Sequence, residues 1–126
     1  MEDEKRKTQA IVPEEYFTSE DWIRAGRRRY MLLNVIYYLQ HFAGKVDGVG
    51  REDISEFLEA LRKIDSDIYW SILKPEIPLN VTLRELWSDG LIVEVDEGKF
   101  AVNKEKIKSE NDLIYWRRLK MIFDKV

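Results

Sequence analysis

The side chains best suited to specific polar contacts with another molecule lie between residues 80 and 88. Arg84 has a forked guanidinium that can donate two hydrogen bonds to the edge of guanine, and the carboxamide of Asn80 can pair with adenine. If this stretch is helical, Glu85 and Ser88 lie on the same outward face. An alternative is that Arg84 only pairs with a neighbouring Glu. The pattern predicts a binding surface.

Residues that would support catalysis are missing from the sequence. It contains no Cys and a single His, His41, which excludes thiol catalysis, zinc fingers and multi-histidine metal sites. Paired carboxylates beside a base, a Gly-rich phosphate loop and a nucleophile motif are absent as well. We therefore predict a protein that is not an enzyme and that uses no cofactor and no metal.

Further basic residues could contact a phosphate backbone. Arg24, Arg27 and Arg28 share one face of a predicted helix, and Lys99 and Lys104 lie in and just after a predicted hairpin. We predict that all five contact DNA together with the residues of the 80–88 stretch. In the alternative interpretation the Arg residues pair with the acidic residues that precede them, namely Glu14, Glu15, Glu20 and Asp21.

The charge balance opposes DNA binding by the same region. The chain has a net charge of −3, and residues 51–103 contain six basic and twelve acidic residues. Phosphate contacts supply much of the affinity of any protein for DNA, so the acidic charge of residues 51–103 argues against DNA binding by this region. The same charge favours a surface that binds another protein.

The stretch from Asn80 to Asn103 predicts a helix followed by a hairpin. Thr82 and Glu85 have the spacing of a capping box, Asn80 is an alternative cap, and Leu83, Leu86 and Trp87 form one apolar stripe. Gly90 is suited to ending a helix. Alternating apolar residues on both sides of the turn Asp96-Glu97-Gly98 then predict two strands. We expect a helix over 80–89 and a hairpin over 91–103.

This pattern resembles the winged helix-turn-helix domains that bind DNA. The residues that carry the resemblance are Leu86, Asp89, Gly90, Leu91 and Ile92, with Phe100 and Val102 closing the hairpin. It covers roughly residues 30–103. The resemblance implies an α+β, mostly helical fold, with a recognition helix, a two-stranded wing and a role as a transcriptional regulator on double-stranded DNA.

Apolar periodicity predicts further helices over 19–42, 51–64, 65–73 and 109–124. We divide the chain into a tail and connector (1–17), a winged helix domain (18–103) and a C-terminal helix (104–126). The first and last helices are more apolar than one packing face requires. We therefore expect a homodimer whose interface includes Leu113, Trp116 and Phe123. The alternative is that these helices pack within one chain.

Composition adds three expectations. No run of about 20 apolar residues and no signal-type segment occurs, so we expect no membrane association and a cytoplasmic location. Abundant Lys, Arg and Glu with few Asn and Gln are typical of thermophile proteins.

The leading functional hypothesis is a DNA-binding winged-helix regulator, and the alternative is a winged-helix module that binds protein and no DNA.

Overall fold

The computed structural model describes residues 19–74 and 77–126, with side chains from Gly26 onward. Within them the chain forms, in order, α1 (Ser19–Phe42), β1 (Val49–Gly50), α2 (Arg51–Ile64), α3 (Ser66–Ile72), α4 (Leu79–Ser88), β2 (Ile92–Asp96), β3 (Lys99–Val102) and α5 (Trp116–Phe123). The described part is α+β and mostly helical, as predicted. The predicted tail and connector 1–17 and the side chain of Arg24 lie outside the described residues.

The three strands form one antiparallel sheet in the order β1-β3-β2. The predicted hairpin is confirmed. Strand β1 adds a third strand, which the sequence pattern did not predict because two residues are too few to show an alternation. Gly48 leads into β1 with φ +130°, and a Cβ there would lie 2.8 Å from Val95 Cγ2. Gly48 therefore lets the third strand approach the hairpin closely.

Helix α1 runs through the middle of the fold. Leu32, Leu33, Val35 and Ile36 are fully buried, although successive residues of a helix point about 100° apart. The helix contacts α2, α3, α4, α5, β1 and β3 of the same chain. Burial on more than one side, which the sequence predicts, is thus achieved within a single chain.

One ion pair with a buried guanidinium ties α1 to α4. Arg28 Nε donates to Thr82 Oγ1 at 3.1 Å, and its Nη2 donates to Glu85 Oε1 at 2.6 Å. Only 8% of Arg28 is exposed, so the residue is a structural clamp. This corrects the prediction that Arg28 contacts DNA.

Two other buried polar residues of α1 hold further parts of the chain. The side-chain oxygen of Gln40 accepts a 2.7 Å hydrogen bond from the backbone N–H of Val102, in β3. Asn34 donates at 2.8 Å to the carbonyl oxygen of Ile114, just before α5. A buried polar group is costly without a partner, so these bonds fix where β3 and the C-terminal segment attach to α1.

The start of α4 differs from the predicted one. The helix begins at Leu79 directly after Pro78, and Thr82 lies inside it with its hydroxyl buried. Thr82 does not cap the helix because its oxygen accepts from Arg28 on the neighbouring helix. The predicted ranges of α1 and α2 agree with the structure.

The C-terminal segment does not form the long helix predicted over 109–124. Ser109 and Asp112 form the predicted capping box, but it begins a single 3-10 turn, Glu110–Asp112. Tyr115 then adopts a left-handed conformation with φ +74°, which interrupts the helical path before α5. Periodicity over this segment could not reveal one residue with an unusual backbone angle.

The three residues predicted at a dimer interface belong to the core of the single chain. Leu113, Trp116 and Phe123 are 6%, 6% and 1% exposed. Tyr38 of α1 adds a 2.9 Å hydrogen bond from its hydroxyl to Asp124, and burial together with this bond raises the pKa of Tyr38 to about 12. The interface prediction is corrected for these side chains in favour of packing within one chain.

We expect Glu85→Ala to destabilise the fold more than Arg28→Met. Glu85→Ala leaves the guanidinium, whose side chain is 10% exposed, without its counter-charge, and such a loss costs about 3 kcal/mol. Arg28→Met leaves a carboxylate that is 36% exposed and that water can reach, so its cost should be smaller. The free energy of unfolding in urea measures both.

Glu56→Ala, on the exposed side of α2, is the control and should change stability by less than about 0.5 kcal/mol. Equal losses for the two clamp variants, or the reverse order, would show that burial of the guanidinium does not govern this pair.

Candidate nucleic-acid interface

One side of α4 is exposed along its whole length. Asn80, Arg84 and Ser88 are all exposed there, as the spacing of four residues predicts. Trp87 lies beside them with 51% of its surface exposed. The sequence pattern assigns Trp87 to the buried stripe of Leu83 and Leu86, but its ring lies at the edge of that stripe.

Glu85 does not share this outward face. Its carboxylate turns toward α1 and binds Arg28. The carboxylate of Asp89, at the end of α4, lies 3.9 Å from the guanidinium of Arg29, which is also on α1. Two of the acidic charges counted against this region therefore face cations of α1.

A cleft of about 240 Å³ separates α4 from the hairpin. It opens between the start of α2, the exposed side of α4 and the turn of the hairpin. Its lining residues include Arg51, Asn80, Leu83, Arg84, Trp87 and Phe100. The cleft thus has apolar and aromatic walls with two guanidinium groups among its lining residues.

Sequence reasoning did not place Arg51, Trp87 or Phe100 at a binding surface. Arg51 Nη1 donates to Asn80 Oδ1 at 2.8 Å, which joins the first residue of α2 to the start of α4. The rings of Trp87 and Phe100 lie edge to face, with centroids 6.3 Å apart. Arg51 follows a Gly-rich turn, and no local pattern shows that it meets a helix 29 positions later.

Lys99 does not join this surface. It precedes Phe100 in β3, so the two side chains leave the sheet on opposite faces, and Phe100 faces α4. The positive charge of Lys99 instead interacts with the carboxylate of Asp53, near the start of α2. The backbone N–H of Gly50 holds the pKa of Asp53 below its ordinary value, and Lys45 and Lys99 lower that pKa further.

The structure also separates the other predicted contacts. Arg27 lines a different cleft, formed with α3 and α5, where Arg118 and Asp67 also lie. Lys104 lines a third cleft beside His41, at the opposite end of α1 from Arg28. Of the predicted DNA-binding residues whose side chains the structure describes, only Asn80, Arg84 and Ser88 share one surface.

The turn of the hairpin is acidic. Asp96 and Glu97 are exposed at its tip, and Glu94 is exposed beside them. Glu94 Oε2 accepts a 3.0 Å hydrogen bond from the backbone N–H of Gly98, which holds this carboxylate against the turn. Negative charge is therefore concentrated at the tip, next to the aromatic cleft.

Two structural features bear on other functions. The described residues contain no group of three or more His, Asp or Glu side chains placed to hold a metal ion. None of the helices in residues 19–74 and 77–126 combines the length and apolar character needed to cross a membrane.

Comparisons with protein-family models, with curated proteins and with solved structures find no match to this chain. The chemistry of the α4 surface therefore rests on its own side chains and their geometry.

We expect Asp53→Asn to destabilise the protein at neutral pH and not in strong acid. Because folding lowers the pKa of Asp53 from 3.8, its carboxylate stabilises the fold above that pH, and the contribution is lost as the pH falls through the folded value. The loss at pH 7 should be on the order of 1 kcal/mol, as for one hydrogen bond. Thermal unfolding of both proteins from pH 7 to pH 2 measures it.

Glu56→Gln, at an exposed position of the same helix, is the control and should change stability at pH 7 by less than about 0.5 kcal/mol. A gap between wild type and Asp53→Asn that stays constant down to pH 2 would contradict the electrostatic cause.

Proposed function

We propose that this chain is a winged helix protein that binds double-stranded DNA and acts in transcriptional regulation. In this proposal α4 is the recognition helix and the β2–β3 hairpin is the wing. The observation that carries it is the exposed side of α4, on which Asn80, Arg84 and Ser88 are all exposed beside the hairpin. A helix followed by a hairpin, with a third strand completing the sheet, is compatible with a winged helix layout.

The electrostatics of α4 support the proposal better than the charge count of the sequence does. Glu85 is bound to Arg28, and Asp89 lies near Arg29. The positive groups exposed at the start and middle of the surface are Arg51 and Arg84. Arginine is suited to both phosphate oxygens and the edge of guanine, so either contact is chemically open to Arg84.

The alternative is a winged-helix module that binds another protein and no DNA. It is favoured by apolar side chains exposed on the same helix, with Val81 39% and Trp87 51% exposed. Aromatic side chains are enriched in the centres of protein interfaces. The acidic hairpin tip would repel phosphate and would tolerate a basic protein.

Homodimerisation stays a prediction. Its contact surface cannot be the buried side of α5, because Leu113, Trp116 and Phe123 are enclosed by their own chain. Met121, on the outer side of α5, is 68% exposed and Ile114 is 49% exposed, so a dimer through this segment would use these side chains.

We expect the purified chain to bind labelled mixed-sequence duplex DNA with an affinity that falls steeply as salt is raised. Each phosphate contact contributes about 0.9 to the slope of log affinity against log salt concentration. Arg84→Ala should weaken binding about tenfold, from the loss of one base or phosphate contact. Fluorescence anisotropy at several salt concentrations measures both quantities.

Arg118→Ala is the matched control, because Arg118 is an exposed Arg on α5 in a different cleft. It should leave the affinity unchanged. Wild-type protein that binds no DNA even at low salt would reject DNA binding and favour the protein-binding alternative. Equal affinities of wild type and Arg84→Ala would reject α4 as the contact surface.

A further inference from the structure

We propose that the cleft between α4 and the β2–β3 hairpin receives one unpaired base of the bound DNA. The base packs on the rings of Trp87 and Phe100, and Arg51 and Arg84 hold the phosphates on either side of it. The inference rests on the proposed DNA binding and deepens it, since it specifies that the recognised DNA carries an unpaired base.

The aromatic side chains of the cleft form a surface on which a base can stack. Trp87 projects from α4 with half of its surface exposed, although a large indole in a small protein is more commonly covered. Phe100, half-buried in β3, meets it edge to face, and Leu83 closes the side toward the core. The cleft of about 240 Å³ has room for a single planar ring system against its apolar walls. Base stacking on aromatic side chains does not depend on sequence, because every base has a π-face.

Two Arg side chains of the cleft are suited to bind the phosphates beside that base. Arg51 and Arg84 belong to different helices and both line the cleft, so positive charge is present beside the aromatic walls. Arg51 is oriented by its bond to the oxygen of Asn80, which leaves the amide N–H groups of Asn80 as donors for a base edge. Cations around an aromatic platform are the combination that single-stranded nucleic acid requires.

The acidic hairpin tip makes a fully paired duplex a weaker ligand of the cleft than a strand with an unpaired base. Asp96 and Glu97 are exposed in the turn that borders the cleft through Gly98, and Glu94 is held against that turn. A paired duplex that covers α4 has two phosphate backbones, and one of them would lie against these acidic side chains. A single strand, or a duplex with one base turned out, needs to place only one backbone along Arg51 and Arg84.

The test compares three labelled DNAs of the same sequence at low and moderate salt. One is single-stranded, one is a fully paired duplex, and one is that duplex with a single additional unpaired base. Anisotropy titrations use wild type, Trp87→Ala, Trp87→Phe and Trp70→Ala. Trp70 is the matched control, because it is 43% exposed, lies on α3 and has Arg62 5.5 Å from its ring.

We expect wild type to bind the single strand and the bulged duplex at least about tenfold more tightly than the paired duplex, as one stacked base predicts. Trp87→Ala should remove this preference and leave the affinity for paired duplex unchanged. Trp87→Phe should keep most of it, and Trp70→Ala should behave as wild type. Circular dichroism checks that each variant is folded.

Several results would overturn the inference. Trp87→Ala with wild-type affinity for the single strand would mean that no base is stacked there, and an equal loss on all three DNAs would mean that Trp87 only supports α4. Arg84-dependent binding of paired duplex with no preference for unpaired bases would reject the base site and keep the proposed function. No binding of any of the three DNAs would reject both and leave the cleft to a protein side chain.

Discussion

The ion pair between Arg28 and Glu85 is the constraint on which the rest of the α4 surface depends. A guanidinium in the interior needs a counter-charge, and in this fold the counter-charge comes from the middle of α4. Once Glu85 faces α1, the helical period places Asn80, Arg84 and Ser88 on exposed positions of α4. This pair and the buried side chains of Leu83 and Leu86 therefore determine which side chains of α4 another molecule can meet.

Helix α1 also holds other elements through polar contacts at several points along its length. Arg28 holds α4, Asn34 holds the segment before α5, and Gln40 holds β3. Apolar packing alone is non-directional and would tolerate sliding of these elements over α1. Hydrogen bonds with buried partners tolerate much less, so the relative positions of α4 and the hairpin, and the cleft between them, are set by their separate contacts with α1.

The charge of the interface shows why a count along the chain misleads. Residues 51–103 are acidic as a segment, but cations from α1 face Glu85 and Asp89, and Arg51 comes from the start of α2 to meet Asn80. The acidic groups that remain exposed near the cleft belong to the hairpin tip. The surface is thus divided into a positive aromatic part and a negative tip, and this division limits how a polyanion could lie on it.

The sequence alone determined the elements with a strong local signal. Periods of 3.6 and 2 residues are properties of neighbouring positions, so α1, α2 and the β2–β3 hairpin were predictable, and Gly90, with φ +74°, marks the end of α4. The face with Asn80, Arg84 and Ser88 follows from the same period.

Only the tertiary structure decided which charges and rings are available. Arg28 meets Thr82 across 54 positions, Leu113 and Phe123 enter the core, Lys99 leaves the sheet on the far face, and Trp87 stays exposed. Burial and ion pairing are set by the elements that pack against a residue, and these come from distant parts of the chain. Helical or strand periodicity records which face a residue occupies, but not what that face will meet.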